Sequence, residues 1–135
     1  MIVVDTNILV GFLLPGDGAS TSARIYAKDP DWIAPPLLRS EFRNVLATLV
    51  RHRVIDFDSA LLIVEEAERI LDGNEFPVNS TDVLALAGSS ACSAYDCEYV
   101  ALARMLRLPL VTLDREVLAA FPKTAVDPET FVNSI

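Results

Sequence analysis

The sequence predicts an α/β protein in which a parallel sheet carries helices on both faces. Three observations lead there. Short apolar runs (Met1 to Val4, Trp32 to Ala34, Leu108 to Thr112, Thr124 to Val126) alternate with longer segments of helical periodicity, the pattern of a parallel sheet with crossover helices. Two apolar runs, Met1 to Val4 and Leu108 to Leu113, lead directly into an acid, Asp5 and Asp114. Ligands of open α/β sheets gather outside the carboxyl ends of the strands, so these two distant acids could share one pocket. Finally, 135 residues with 52% hydrophobic and 22% charged side chains fit one globular domain spanning residues 1–135, with a single core and no linker.

The elements follow in order. Met1 to Val4 reads as a buried strand, and Gly11 to Gly18 as a loop or a broken helix start. Ser20 to Lys28 is a short helix and Trp32 to Ala34 a second strand. Pro35-Pro36 suits the first turn of a helix reaching about His52, because proline has no amide hydrogen to lose there; Leu38, Phe42, Val45, Leu46 and Leu49 keep helical spacing. Asp56 or Asp58 can cap the next helix, which Gly73 ends. Phe76 to Val78 is a candidate short strand, and Ser80 or Thr81 caps a helix to about Cys92. Ser93 with Asp96 forms a capping-box-like start for a helix from Ala94 to Arg107. Leu108 to Thr112 is a strand, Asp114 precedes a short helix, Thr124 to Val126 is a last strand, and Asp127-Pro128 begins a final helix.

Several functions are excluded or disfavoured. No apolar stretch approaches the roughly 18 residues of a membrane span. The N-terminus lacks the basic region of a signal peptide, which leads us to expect a cytoplasmic protein. Cys92 and Cys97 lack the spacing of a redox motif or zinc ribbon and read as buried free thiols. The single histidine, His52, cannot make a histidine-based metal site and sits at a predicted helix end. A net charge of -8 argues against a large positive surface. The charge is nonetheless uneven: Arg39, Arg43, Arg51 and Arg53 face Glu41 alone between positions 39 and 53, a strip that suits either a phosphate backbone or plain solvent.

Four acids carry the chemistry. On the 36–52 helix Glu41 falls beside the apolar face, with Asn44 and Thr48 along the same edge. On the 94–107 helix Asp96 lies at the edge of the stripe Tyr95, Tyr99, Leu102, Ala103 and Leu106, whereas Glu98 points away from it. Each acid also has an ordinary role. Asp5, Asp96 and Asp114 can stabilise helix starts, and Glu41 can interact with a helix dipole. Carboxylates gathered in one place imply a divalent cation, since like charges held close otherwise repel or stay protonated. A hard ion such as Mg2+ or Mn2+ prefers such oxygen ligands.

The segments Val3-Val4-Asp5-Thr6-Asn7-Ile8-Leu9-Val10, Glu41 with Asn44, Tyr95-Asp96-Cys97-Glu98-Tyr99-Val100-Ala101-Leu102-Ala103 and Val111-Thr112-Leu113-Asp114 resemble the four motifs of PIN-domain nucleases. Order, spacing and length are most similar to the VapC-type ribonuclease toxins of toxin-antitoxin modules. The resemblance implies an α/β/α sandwich with a central parallel sheet of four or five strands. It also implies a metal-dependent endoribonuclease site of Asp5, Glu41, Asp96 and Asp114. Asn7 and Thr112 match supporting polar positions, and Glu116 lies near a further acid that many relatives carry. It further implies an RNA substrate, an antitoxin protein that covers the site, and a homodimer.

Such a cluster supports hydrolysis of a phosphodiester assisted by Mg2+ or Mn2+. Asp5, Asp96 and Asp114 are the expected ligands, direct or through water; Glu41 is either a ligand or the base. Arg39, Arg43 and Arg115 are candidate phosphate contacts. Two rival readings stand beside this one. A catalytically inactive PIN-like binding module would keep the fold without the chemistry. A haloacid-dehalogenase-type phosphatase requires a second aspartate where Asn7 stands, and a later lysine motif that is missing.

Overall fold

The computed structural model describes residues 1–135. The chain runs β1 (Ile2–Val4), α1 (Thr6–Leu13), α2 (Ala19–Lys28), β2 (Trp32–Ile33), α3 (Leu37–Arg51), α4 (Phe57–Leu71), α5 (Ser80–Gly88), α6 (Ala94–Leu106), β3 (Leu110–Val111), α7 (Arg115–Ala120), β4 (Ala125–Val126) and α8 (Pro128–Asn133). The strands form one parallel sheet in the order β2-β1-β3-β4. Register is set by Ile2 opposite Trp32, Val4 opposite Val111, and Leu110 opposite Ala125. Val3, Val4, Leu110 and Val111 are fully buried, as expected of strands covered by helices on both faces. The result is the three-layer α/β/α sandwich.

Strand order decides where a site can form. From β1 the chain crosses to β2 on one side, while β3 and β4 lie on the other. The crevice outside the carboxyl ends of β1 and β3 is therefore the switch point at which α/β sheets bind ligands. Asp5 follows β1, and Thr112 follows β3, at that crevice.

Local chemistry explains most elements. Asp56 accepts from the Ser59 amide, Ser93 from the Asp96 amide and Asp127 from the Thr130 amide, each satisfying a free donor at a helix start. His52 is the C-cap of α3. Gly73, with φ of 77°, takes the left-handed conformation just past α4. Cys92 and Cys97 are free and buried. No helix is long and apolar enough to cross a membrane.

Three expectations are corrected. The stretch after β1 is not a loop from Gly11, because α1 continues through that residue to Leu13. Gly11 serves close packing instead: a Cβ there would lie 2.5 Å from Ser22 Oγ and 3.1 Å from the Gly18 carbonyl oxygen. Buried Ser22 donates to the Ile8 carbonyl at 2.9 Å, joining α2 to α1. Phe76 to Val78 forms no strand, and only a single bridge links Glu75 to Ala34; Ala34 donates to the Asn74 carbonyl and accepts from the Phe76 amide, but the next donor of that ladder would be the amide of residue 36, and Pro36 has none. The sheet thus has four strands. Helix α5 ends at Gly88 rather than near Cys92, and Asn79 caps it in place of Ser80 or Thr81 by accepting from the Asp82 amide at 2.8 Å.

Candidate active site

Asp5 occupies the centre of the crevice. Its backbone is extended, and its Oδ1 accepts from the Thr6 amide at 2.8 Å, which makes it the N-cap of α1. Thr112, fully buried at the end of β3, donates its hydroxyl to Asp5 Oδ2 at 2.7 Å. The same Thr112 oxygen accepts from the Asp114 amide at 3.0 Å. One hydroxyl thereby fixes the first acid against the last acidic segment. Asn7 reinforces the join: its Nδ2 donates to Asp5 Oδ2 at 3.4 Å and its Oδ1 accepts from the Leu113 amide at 3.2 Å.

Glu41 is held from two sides. Tyr99 donates its hydroxyl to Glu41 Oε1 at 2.6 Å, and Thr6 donates to the same oxygen at 2.9 Å. The Thr6 and Tyr99 hydroxyls also meet at 2.8 Å. Tyr99 is buried within α6, so the fold fixes this carboxylate rather than leaving it to sweep solvent. Thr6 and Tyr99 were not singled out in the sequence as site residues. Tyr99 reads there as part of an apolar stripe, and its hydroxyl finds Glu41 only through folding.

Burial is the largest influence on Asp5, and it pushes the carboxyl up to about 6 from an ordinary 3.8. The Thr112 and Thr6 hydrogen bonds oppose that rise, while the charges of Glu41 and Asp96 add to it. Asp5, Glu41 and Asp96 therefore share one electrostatic field. Burial likewise raises the Tyr99 hydroxyl, and its bond to Glu41 adds to the effect. This phenol stays protonated and remains a donor.

The other acids are placed differently. Asp96 lies half-buried in the first turn of α6, with its amide on Ser93 Oγ. Asp114 uses Oδ1 to cap α7, accepting from the Glu116 and Val117 amides at 2.9 and 3.1 Å. Its link to Asp5 runs through Thr112 and its own backbone amide. Glu116 is exposed in the first turn of α7 and makes no side-chain bond to the other acids. Glu98, set aside in the sequence as pointing away, is half-buried; burial first, then the charge of Glu41, pushes its carboxyl up. The helical wheel misleads because α6 is buried nearly all round, from Cys97 to Ala103, apart from Glu98. Tyr95, assigned to the stripe, is 64% exposed.

Two candidate phosphate contacts are used elsewhere. Arg39 grips Glu75 with Nε at 2.9 and 2.8 Å, and Arg43 lies 3.9 Å from Glu68. Both point along the α3–α4 side, because acids of α4 and of the segment after it attract them. Arg115 is exposed beside Asp114.

The donor set suits a hard divalent cation, since the charged groups it offers are carboxylates. Glu41 Oε2, the Asp96 carboxylate and Asp114 Oδ2 accept no hydrogen bond from the protein. No buried side-chain polar atom lacks a partner, so these oxygens face solvent. No three acids converge at direct metal-ligand spacing. That arrangement fits an ion such as Mg2+, which keeps several waters and takes few carboxylates directly.

A parallel four-stranded α/β/α sandwich with acids at its switch point is the architecture of a PIN domain. The PIN-domain family model matches residues 2–125, and the chain belongs to that family. It is 27% identical over 124 residues to ribonuclease VapC3 of Pyrobaculum aerophilum, covering 90% of this chain and 95% of that protein. Among solved structures it resembles PAE2754 from Pyrobaculum aerophilum, with a TM-score of 0.75, 24% identity, and coverage of 97% and 92% of the two chains. A toxin-antitoxin complex from Klebsiella pneumoniae gives a TM-score of 0.69 at 16% identity, covering 95% of this chain and 98% of that one. Membership of the PIN family sets aside the haloacid-dehalogenase-type reading.

Proposed function

We propose that this protein is a divalent-metal-dependent endoribonuclease and the toxin of a toxin-antitoxin pair. The observation that carries the reading is Asp5. A carboxyl is buried at the switch point, fixed by Thr6 and Thr112, and loaded with the charges of Glu41 and Asp96. Folding gains nothing from a carboxyl pushed up in this way, and perturbed groups of this kind cluster at functional sites. The similarity to ribonuclease VapC3 supports RNA as the substrate class.

Asp5, Asp96 and Asp114 would hold Mg2+ or Mn2+, directly or through water, with Glu41 as a further ligand or as base. When bound, the ion lowers the pKa of water and neutralises charge growing on the phosphate oxygens. The chain itself does the positioning. Thr112 keeps Asp5 aimed into the crevice, and Asn7 ties the turn after β1 to the exit of β3. Tyr99 and Thr6 saturate Glu41 Oε1, which leaves Oε2 as the face able to take a proton or a cation. Glu116 at the start of α7 is a peripheral acid in this scheme.

The partners that go with this reading are the RNA, an antitoxin protein and a second copy of the chain. Phe57, Leu61 and Leu62 on α4 and Leu84 on α5 leave apolar surface exposed for protein contacts. The reading places the protein in the cytoplasm, with its RNA. A second reading is an inactive PIN-like binding module, which keeps the fold without the chemistry. Incubating the purified protein with a mixed structured RNA pool in Mg2+, Mn2+ or EDTA tests the nuclease reading. Cutting that needs the metal is the expected result. A protein that binds the ion yet cuts none of the pool is either a nuclease of a highly selective target or the binding module.

A further inference from the structure

The chain carries eleven Lys and Arg side chains against nineteen acids, and most of the cations with a fixed partner are neutralised. Arg24 pairs with Glu129, Arg39 and Arg43 with Glu68, and Arg69 with Glu66. Lys28 is tied to carbonyls at the C-terminus. Arg104, Arg107 and Lys123 belong to none of these pairs, yet all three line one cavity of about 440 Å3 together with Pro109, Pro122 and Thr124. No acid lines it. In a protein of net charge -8, that concentration of unpaired positive charge marks a place where an anion is favoured.

The cavity is formed by the two segments that enter β3 and β4. They are joined by the Leu110 amide donating to the Thr124 carbonyl at 2.9 Å. Because the strands are parallel, both segments lie at the amino end of the sheet, opposite the carboxylates. Arg104 is held in place: its Nε donates to Thr124 Oγ1 at 3.2 Å, and its guanidinium lies 5.4 Å from the centre of the Phe121 ring. With Nε occupied, its two terminal nitrogens remain to grip a phosphate as a fork. Arg107 stands in the left-handed conformation, φ 57° and ψ 44°, as the C-cap of α6. Glycine or asparagine usually fills that position, where a Cβ is unfavourable. An arginine there brings a third charge to the cavity mouth.

We propose that Arg104, Arg107 and Lys123 form a second binding site that takes successive backbone phosphates of single-stranded RNA, one at each cation, at the end of the sheet opposite the cleavage site. This rests on the reading of the protein as a ribonuclease. From Leu108 to Asp114 the chain advances six residues, on the order of 20 Å in extended form, so only a strand several nucleotides long reaches both sites. Such a site gives an acidic protein a sequence-independent hold on a polyanion that its net charge repels.

The test uses the full chain carrying Asp5→Asn, with Mg2+, so that a bound RNA is not cut. Binding of a labelled homopolymeric single-stranded RNA, long enough to span both sites, is followed by anisotropy as salt is raised. It is compared with the same chain carrying R104Q, R107Q and K123Q as well. Each phosphate contact on a single strand contributes about 0.7 to the slope of log affinity against log salt, so losing three lowers the slope by about 2. A fourfold rise in salt then weakens the parent by roughly 20-fold more than the variant. A variant carrying R104K and R107K restores the slope and shows that loss of charge, not of fold, is responsible. An unchanged slope overturns the proposal. So does a cavity that is stabilised by inorganic phosphate while RNA binding stays the same, since its ligand is then a free anion. The two readings fail separately. Active wild-type protein with an unchanged slope in the variant removes only the second site; steep RNA binding by a protein that cuts nothing with metal removes only the nuclease.

Discussion

Replacing Asp5 by asparagine should stabilise the metal-free protein at neutral pH. The folded state holds the Asp5 carboxyl at about 6 against an ordinary 3.8, so it binds that proton more tightly than the unfolded chain does. For a raised carboxylate, stability is greatest below the unfolded value. It falls as pH rises from about 4 to 6, and the full cost is present above the folded value. A shift of this size corresponds to about 3 kcal/mol. The asparagine side chain removes the charge but accepts less well from Thr112, whose hydroxyl now donates to Asp5 Oδ2 at 2.7 Å, and a hydrogen bond of that kind contributes about 1 kcal/mol. The expected net gain at pH 7.5 is about 2 kcal/mol, or roughly 6 °C in Tm for a chain of this length. At pH 4 the gain should disappear or change sign. Thermal unfolding of both proteins in EDTA at the two pH values measures it, and a variant that gains nothing at pH 7.5, or gains equally at both, refutes the reasoning. Saturating Mn2+ should then reverse the order, because only the wild type binds it tightly through Asp5; one hundredfold excess over Kd adds about 2.7 kcal/mol.

Three further outcomes follow from particular contacts. Tyr99→Phe removes a donor 2.6 Å from Glu41 Oε1 and should lower RNA cleavage about tenfold in kcat with little change in KM; an unchanged kcat separates Glu41 positioning from turnover. Gly11→Ala forces a Cβ to within 2.5 Å of Ser22 Oγ and should cost about 1 to 3 kcal/mol in urea unfolding, whereas the same change at Gly88, with nothing near it, should not destabilise. Arg39→Ala should leave cleavage intact and lower stability by about 1 kcal/mol, since its guanidinium holds Glu75 rather than substrate; a loss of activity larger than the loss of stability returns Arg39 to the site.

What the sequence makes legible is what is decided locally. The caps Asp56, Ser93 and Asp127 each bond an amide three residues on, and the apolar runs at β1 and β3 need no distant information to be read as strands. The helix after β1 is hidden because Gly11 looks like a breaker, and only contact with Ser22 and Gly18 reveals it as a packing residue. The triplet Phe76 to Val78 gives the opposite lesson: it reads as a strand until its partner is known, and Pro36 on that partner has no amide to donate to the Phe76 carbonyl. In the site, Asp5 and Asp114 are visible from their positions after apolar runs. The ties around Glu41 are not, because Thr6 and Tyr99 lie 35 and 58 residues from it in the chain. Glu98 is missed for a related reason: a wheel presumes one buried face, and α6 is buried on nearly every side.

The most direct test of the carboxylate site is to soak crystals of the protein in Mn2+ and collect anomalous scattering. A peak in the crevice between the ends of β1 and β3, close to Asp5 and Asp96 and lost in Asp5→Asn, is the expected result. A peak elsewhere, or one that persists in the variant, contradicts the assignment of Asp5 as the anchor of a catalytic cation.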